Sequence, residues 1–178
     1  GYFQNIEEIK SKLKDNLFAF CYKPYKKETM DSILAKLLEK DKAKIYFQTF
    51  SHFDCYVNDV LLDFDRAKAK ELLALLVYRR GGEVLMEEAI TQLWPEKDPK
   101  YSKKLYRDAL CRLRLALRKF DIEHILNAKR GRISLNTKWC SSDYWDYLDG
   151  KNNSFHGEFL RPYEWSCDEE NCLLSMAK

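Results

Sequence analysis

The chain has 178 residues, 46% hydrophobic and 33% charged, with a formal net charge of +3. That is ordinary for a soluble globular protein of one to two domains, long enough to bury a core. No run approaches the roughly eighteen apolar residues of a membrane span and no signal-peptide pattern is present, so a cytoplasmic protein without a membrane partner is expected. Six cysteines lack any C-x-x-C spacing, and Cys167, Cys172 and His156 match no zinc pattern. Free thiols and no metal are the expectation. A first residue of Gly in place of Met predicts a piece cut from a longer chain.

The opening reads as a helix over 6–14 with Asn5 as N-cap, a buried strand over 17–21, then Tyr22-Lys23-Pro24 and a helix over 28–40 that buries Met30, Ile33, Leu34, Leu37 and Leu38. A charged joint, 40–44, follows, and the period changes. Residues 45–50, 53–57 and 60–64 alternate and carry β-branched and aromatic side chains, with Asn58-Asp59 as a turn, which predicts a small antiparallel sheet. Residues 66–80 turn helical, with Leu72, Leu73, Leu75, Leu76 and Val77 inward and Gly81-Gly82 as terminator. A short helix over 86–93 closes at Trp94-Pro95, and a polar loop covers 96–100.

The stretch 101–120 has no Gly or Pro and two distinct faces. Tyr106, Ala109, Leu110, Leu113, Ala116, Leu117 and Phe120 form a stripe at helical spacing. Lys104, Arg107, Cys111, Arg114 and Arg118 lie opposite, with Lys103 and Arg112 on the margins and Asp108 as the single acid on this side. Between residues 100 and 132 eleven bases stand against three acids, leaving the rest of the chain net acidic. Segregation of this kind suits a polyanionic partner. Residues 125–129 and 132–136 then read as a hairpin with Lys129, Arg130 and Arg132 at its tip. Helix, glycine turn, short helix, loop, basic helix and basic hairpin is the order of a winged helix-turn-helix, so the fold class is α+β with a leading antiparallel sheet. Residues 142–148 read as a short capped helix, and an acidic, helix-prone end follows.

Phe64 to Gly81, then Leu93-Trp94-Pro95, then Leu113-Arg114 with Leu117 resemble the OmpR/PhoB winged-helix family, in particular its antibiotic-regulatory-protein (SARP) branch, over about 50–148. The resemblance implies a third helix in the major groove and a wing at the minor groove, with Lys104, Cys111, Arg112 and Arg114 at DNA-contacting positions. Arg107 and Arg118 join them from the helical wheel alone. Lys103, Lys104, Lys129, Arg130 and Arg132 would mainly neutralise phosphates. Two positions depart from the family: Ile133-Ser134 stands where Gly-Tyr usually follows the wing's Arg-Gly, and Cys111 fills an often basic position. Helix, strand, Lys23-Pro24 and helix in the first forty residues resemble the last third of a response-regulator receiver domain, in which Lys23 would be the switch lysine. The phosphorylated aspartate would lie upstream of Gly1.

The expected division is 1–41 as a receiver fragment with partial α/β character, 45–149 as a winged helix, and 150–178 as a tail, either packed on the core or opening a helical domain. His52, His124 and His156 are scattered, with His124 expected to be partly buried, and no glycine loop opens a helix to cradle phosphate. An enzyme is not expected, nor a cofactor. The expected partners are double-stranded DNA, RNA polymerase and a second copy of the chain; a sensor kinase would act only through the missing receiver region. The alternative is an interaction module whose basic face meets an acidic protein, for which Leu115 and Leu105 are the apolar anchors on offer.

Overall fold

The computed structural model describes residues 26–40 and 43–176. The expected helix over 6–14, the strand over 17–21 and Lys23 lie outside the described residues. The chain divides into two compact units, Gly1–Lys42 and Ala43–Lys178. The described part of the first is helix α1, Lys27–Lys40. The second holds the remaining elements in a mixed α+β arrangement; six α-helices and two sheets are present among the described residues.

Strands β1 (Ile45–Gln48) and β2 (Asp54–Val57) pair antiparallel, and β3 (Val60–Leu61) pairs with β2. Alternate residues Ile45, Phe47, Cys55 and Val57 are buried, as a period of two demands of a sheet with one dry face. The β2–β3 turn is Asn58-Asp59, with φ of 50° and 64°. Both residues tolerate the left-handed region that a two-residue hairpin turn needs. The expected antiparallel sheet is in fact mixed, because β7 (Cys140–Ser142) lies parallel to β1 on its other side. Three residues without alternation carry no local strand signal, and their partner is far away in sequence.

Helix α2 (Ala67–Tyr78) is the centre of this unit. Glu71 through Val77 are buried without interruption, which a helix permits only when neighbours cover every side of it. On one side Trp145 donates its Nε1–H to the Val77 carbonyl at 2.8 Å. On the other, α2 packs against α3 (Met86–Leu93) and α4 (Pro99–Arg118). The end of α2 depends on Gly81, at φ +83°, where an added Cβ would stand 3.0 Å from the Thr137 methyl. A second sheet follows the order β4 (Val84–Leu85), β6 (Arg132–Leu135), β5 (Leu126–Lys129), all antiparallel.

Residues after 142 complete the core. Helix α5 (Asp143–Leu148) begins after Ser142, whose side chain makes no cap bond to the helix. The neighbouring Asp143 carboxylate reaches across instead. It accepts from the Thr49 N–H at 2.9 Å, the Thr49 hydroxyl at 2.6 Å and the Phe50 N–H at 3.0 Å, and from its own neighbour's Tyr144 N–H at 2.8 Å. Thr49 and Asp143 are both buried. The chain then returns along β1's exit: the Leu160 N–H donates to the Thr49 carbonyl and the Ser51 N–H to the Glu158 carbonyl, both at 2.9 Å. Phe155, Phe159, Leu160 and, from helix α6 (Cys167–Met176), Leu173 join the same core.

Replacing Asp143 with Ala removes the acceptor for at least three buried donors, at a cost of about 3 kcal/mol or more. Denaturant titration of that variant is expected to show a lower midpoint at unchanged slope; a loss below about 1 kcal/mol would show that the carboxylate does not hold the sheet to α5. Ser102 presents the opposite case. Its hydroxyl is buried on the inner side of α4 with no hydrogen-bond partner among the described residues. Ser102→Ala is therefore expected to leave the midpoint unchanged or raise stability by about 1 kcal/mol in the same titration.

Candidate nucleic-acid interface

Helix α4 begins two residues before the expected start. Asp98 is its N-cap, accepting from the Lys100 N–H at 2.9 Å and the Tyr101 N–H at 3.2 Å, and Pro99 takes the first helical position, where no N–H is missed. Its inner stripe is as the spacing predicts: Tyr106, Ala109, Leu113, Ala116 and Leu117 are buried, with Leu110 and Phe120 half-buried beside them. The helix closes in a Schellman arrangement. Asp121, at φ +56°, lets the Ile122 N–H donate to the Leu117 carbonyl at 3.1 Å and its own N–H to the Arg118 carbonyl at 3.1 Å. Ile122 and Leu117 are both fully buried, which fixes the direction of the exit.

The outward face carries Lys103, Lys104, Arg107, Cys111 and Arg118, all exposed, with Arg112 and Arg114 half-buried. Its cations fall into two groups. Lys100, Lys103, Lys104 and Arg107, in the first half, have no ion pair among the described residues. Every base after Arg107 has one: Arg112 with Asp108 at 3.8 Å, Arg114 with Glu123 at 4.0 Å, Arg118 with Glu123, and Lys119 with Asp65 at 3.2 Å. The Glu123 carboxyl is held below the usual carboxylate range by its hydrogen bonds from Arg118. Glu123 sits on the 3-10 turn Glu123–Ile125, one residue past Ile122.

Lys129, Arg130 and Arg132 stand exposed around the β5–β6 turn. Lys129 pairs with Arg132 across it, and Gly131 takes φ +72°, a value that favours glycine at the second turn position. The tip is tied down, since the Gly131 carbonyl accepts from the Met86 N–H at the start of α3 at 3.0 Å. Arg132 pairs with Glu83 at 3.0 Å, while Lys129 and Arg130 have no ion pair among the described residues. Both groups of bases thus belong to one compact unit.

Sequence spacing missed the acids that face these bases. Glu123 lies beyond the helix end, so the helical wheel does not place it, and Glu83 meets Arg132 only through sheet pairing. His124 corrects another expectation: it is exposed, edge-on to Trp139 with ring centres 6.0 Å apart. Of the two apolar anchors, Leu115 is exposed and Leu105 packs against the core. No helix among the described residues is long and apolar enough to cross a membrane.

Three α-helices wrapped by one sheet and followed by a second sheet of hairpin form define a mixed α+β fold with a one-sided basic helix. No protein-family model matches the chain, and no curated protein matches it. Among solved structures, EmbR of Mycobacterium tuberculosis, determined in complex with a low affinity phosphopeptide, has a similar fold: TM-score 0.63 at 17% sequence identity, covering 76% of this chain and 43% of EmbR. The matched region thus spans less than half of that protein's length, and the likeness is one of fold.

The cysteines give a direct check on the face of α4. Burial pushes the Cys55 and Cys140 thiols up to about 12, whereas Cys111, Cys167 and Cys172 are exposed. The thiolate is the nucleophile, so a raised value keeps a thiol protonated and slow. Maleimide labelling followed by peptide mass spectrometry, at about pH 8 in native buffer, is expected to modify Cys111, Cys167 and Cys172 and to reach Cys55 and Cys140 only after denaturant. Slow native labelling of Cys111 would contradict an outward position on α4.

Proposed function

We propose that this chain is the DNA-binding part of a transcriptional regulator, a winged helix that docks α4 in the major groove and the β5–β6 wing at the adjacent minor groove. The observation that carries this reading is the outward face of α4: four cations in its first half without an ion pair among the described residues, on a helix whose opposite stripe is fixed in the core. A helix loaded this way suits a polyanion. Arg112 and Arg114, half-buried and so restrained, are the candidates for guanine edges, because a guanidinium fork matches O6 and N7. Lys103, Lys104 and Arg107 on the helix, with Lys129, Arg130 and Arg132 on the wing, neutralise phosphates, and Cys111 faces the groove between them. Residues 45–149 are the winged helix, 150–178 its buttress, and 1–41 the end of a receiver with Lys23 as switch. The working partners are duplex DNA, RNA polymerase and a second copy in the cytoplasm.

A second reading keeps the fold and changes the partner. Leu115 is exposed on the basic face at 41% of its surface, and EmbR was solved with a phosphopeptide. A basic face with one apolar anchor also suits an acidic protein segment.

Fluorescence-anisotropy titration with a mixed pool of duplexes separates the two. About six phosphate contacts give a log–log salt slope of about −5.4. Arg112→Ala/Arg114→Ala is expected to lose about 1–3 kcal/mol for each base contact at a preferred site. Absence of binding at low salt would overturn the DNA reading and favour the acidic protein.

A further inference from the structure

The two halves of α4 differ in what surrounds their cations, and the difference is built by the backbone. Ile122, just before the 3-10 turn, and Ile125, its last residue, are fully buried, and the Schellman exit fixes the chain that carries them. Glu123, between these anchors, is held over the end of α4 by packing as well as by its charge. Its carboxylate receives both Nε and a terminal nitrogen of Arg118, the second at 3.1 Å, and stands 4.0 Å from Nε of Arg114. One acid therefore serves two bases one helical turn apart.

We infer that Glu123 sets how tightly α4 holds the nucleic-acid backbone: its carboxylate, fixed against Arg118 and beside Arg114, withholds the C-terminal end of α4 from phosphate binding. This rests on the DNA-binding reading above. An exposed ion pair is weak, so the effect comes from position. A phosphate approaching Arg118 must displace a carboxylate that the turn cannot carry away, and it meets that negative charge at close range. The sequence-independent part of affinity comes from phosphate contacts, so fewer of them at this end lower binding to every duplex alike. Specific and non-specific complexes lose the same contact, so Glu123 lowers affinity for the backbone without changing the ratio between them.

Glu123→Gln keeps the shape and removes the charge. Against a duplex lacking a preferred site, it is expected to steepen the log–log salt slope by about one unit, which at moderate salt corresponds to binding about threefold to tenfold tighter. In Arg118→Ala/Glu123→Gln that gain should disappear. Glu164→Gln, which removes an equal charge from an exposed site in the 3-10 turn Glu164–Ser166, controls for net charge and should leave the slope as in the wild type. Thermal melts of each variant establish that the fold is retained. A Glu123→Gln slope equal to the wild type, or a gain that persists without Arg118, would overturn the inference while leaving the DNA reading intact. A folded wild type that binds no duplex at low salt would overturn the DNA reading, and the inference with it.

Discussion

A helix without a wet side sets the terms for the Ala43–Lys178 unit. Because Glu71 to Val77 of α2 are buried without interruption, every neighbouring element must contribute a cover. Helices α3 and α4 and strand β6 pack directly on α2, Trp145 of α5 bonds to its last turn, and Phe159 and Trp165 of the returning segment lie against Tyr78 at its end. Burial of that many Leu and Val side chains is worth about 1.5–3 kcal/mol each against exposure. The one charge in the run is compensated on the spot: Glu71 meets the Lys68 ammonium at 2.7 Å and the Trp165 indole N–H at 3.2 Å. The basic face of α4 is a consequence of the same arrangement, since the stripe that covers α2 dictates which residues are left outside.

What could be read from the residues followed local physics. The all-apolar run of α2, the bounds of α3, the Asn58-Asp59 turn and the two faces of α4 each depend on period and on turn chemistry within a short window. What could not be read depends on partners distant in sequence. The strand β7 has no alternation of its own and exists because β1 lies beside it. Asp143 reads locally as the second residue of a capped helix, whereas its carboxylate bonds to Thr49 across 94 positions. Asp98-Pro99, within the polar run 96–100, carries the local signal for the start of α4, an N-cap followed by a proline that the first helical position accepts.

The charges repeat this lesson at the candidate site. A helical wheel reports which cations share a face but says nothing of acids delivered by the next turn or the next strand. Arg118 and Arg132 read as free bases in the sequence, and both meet carboxylates from outside their own element, Glu123 and Glu83. Lys103, Lys104 and Arg107 meet none among the described residues. The electrostatic footprint of the face is therefore graded along the helix axis, concentrated toward the N-terminal end of α4.

The parallel pairing of β1 with β7 also bears on how the chain folds. The strand that completes the leading sheet is made after α2, α3, α4 and the hairpin, and its partner waits through all of them. Sheets closed by such distant segments assemble slowly, because the entropy of closing the intervening loop must be met before the pairing contributes. During synthesis the first three strands would leave the ribosome with one long edge uncovered. They stay so until the Cys140–Ser142 segment arrives with Asp143 behind it.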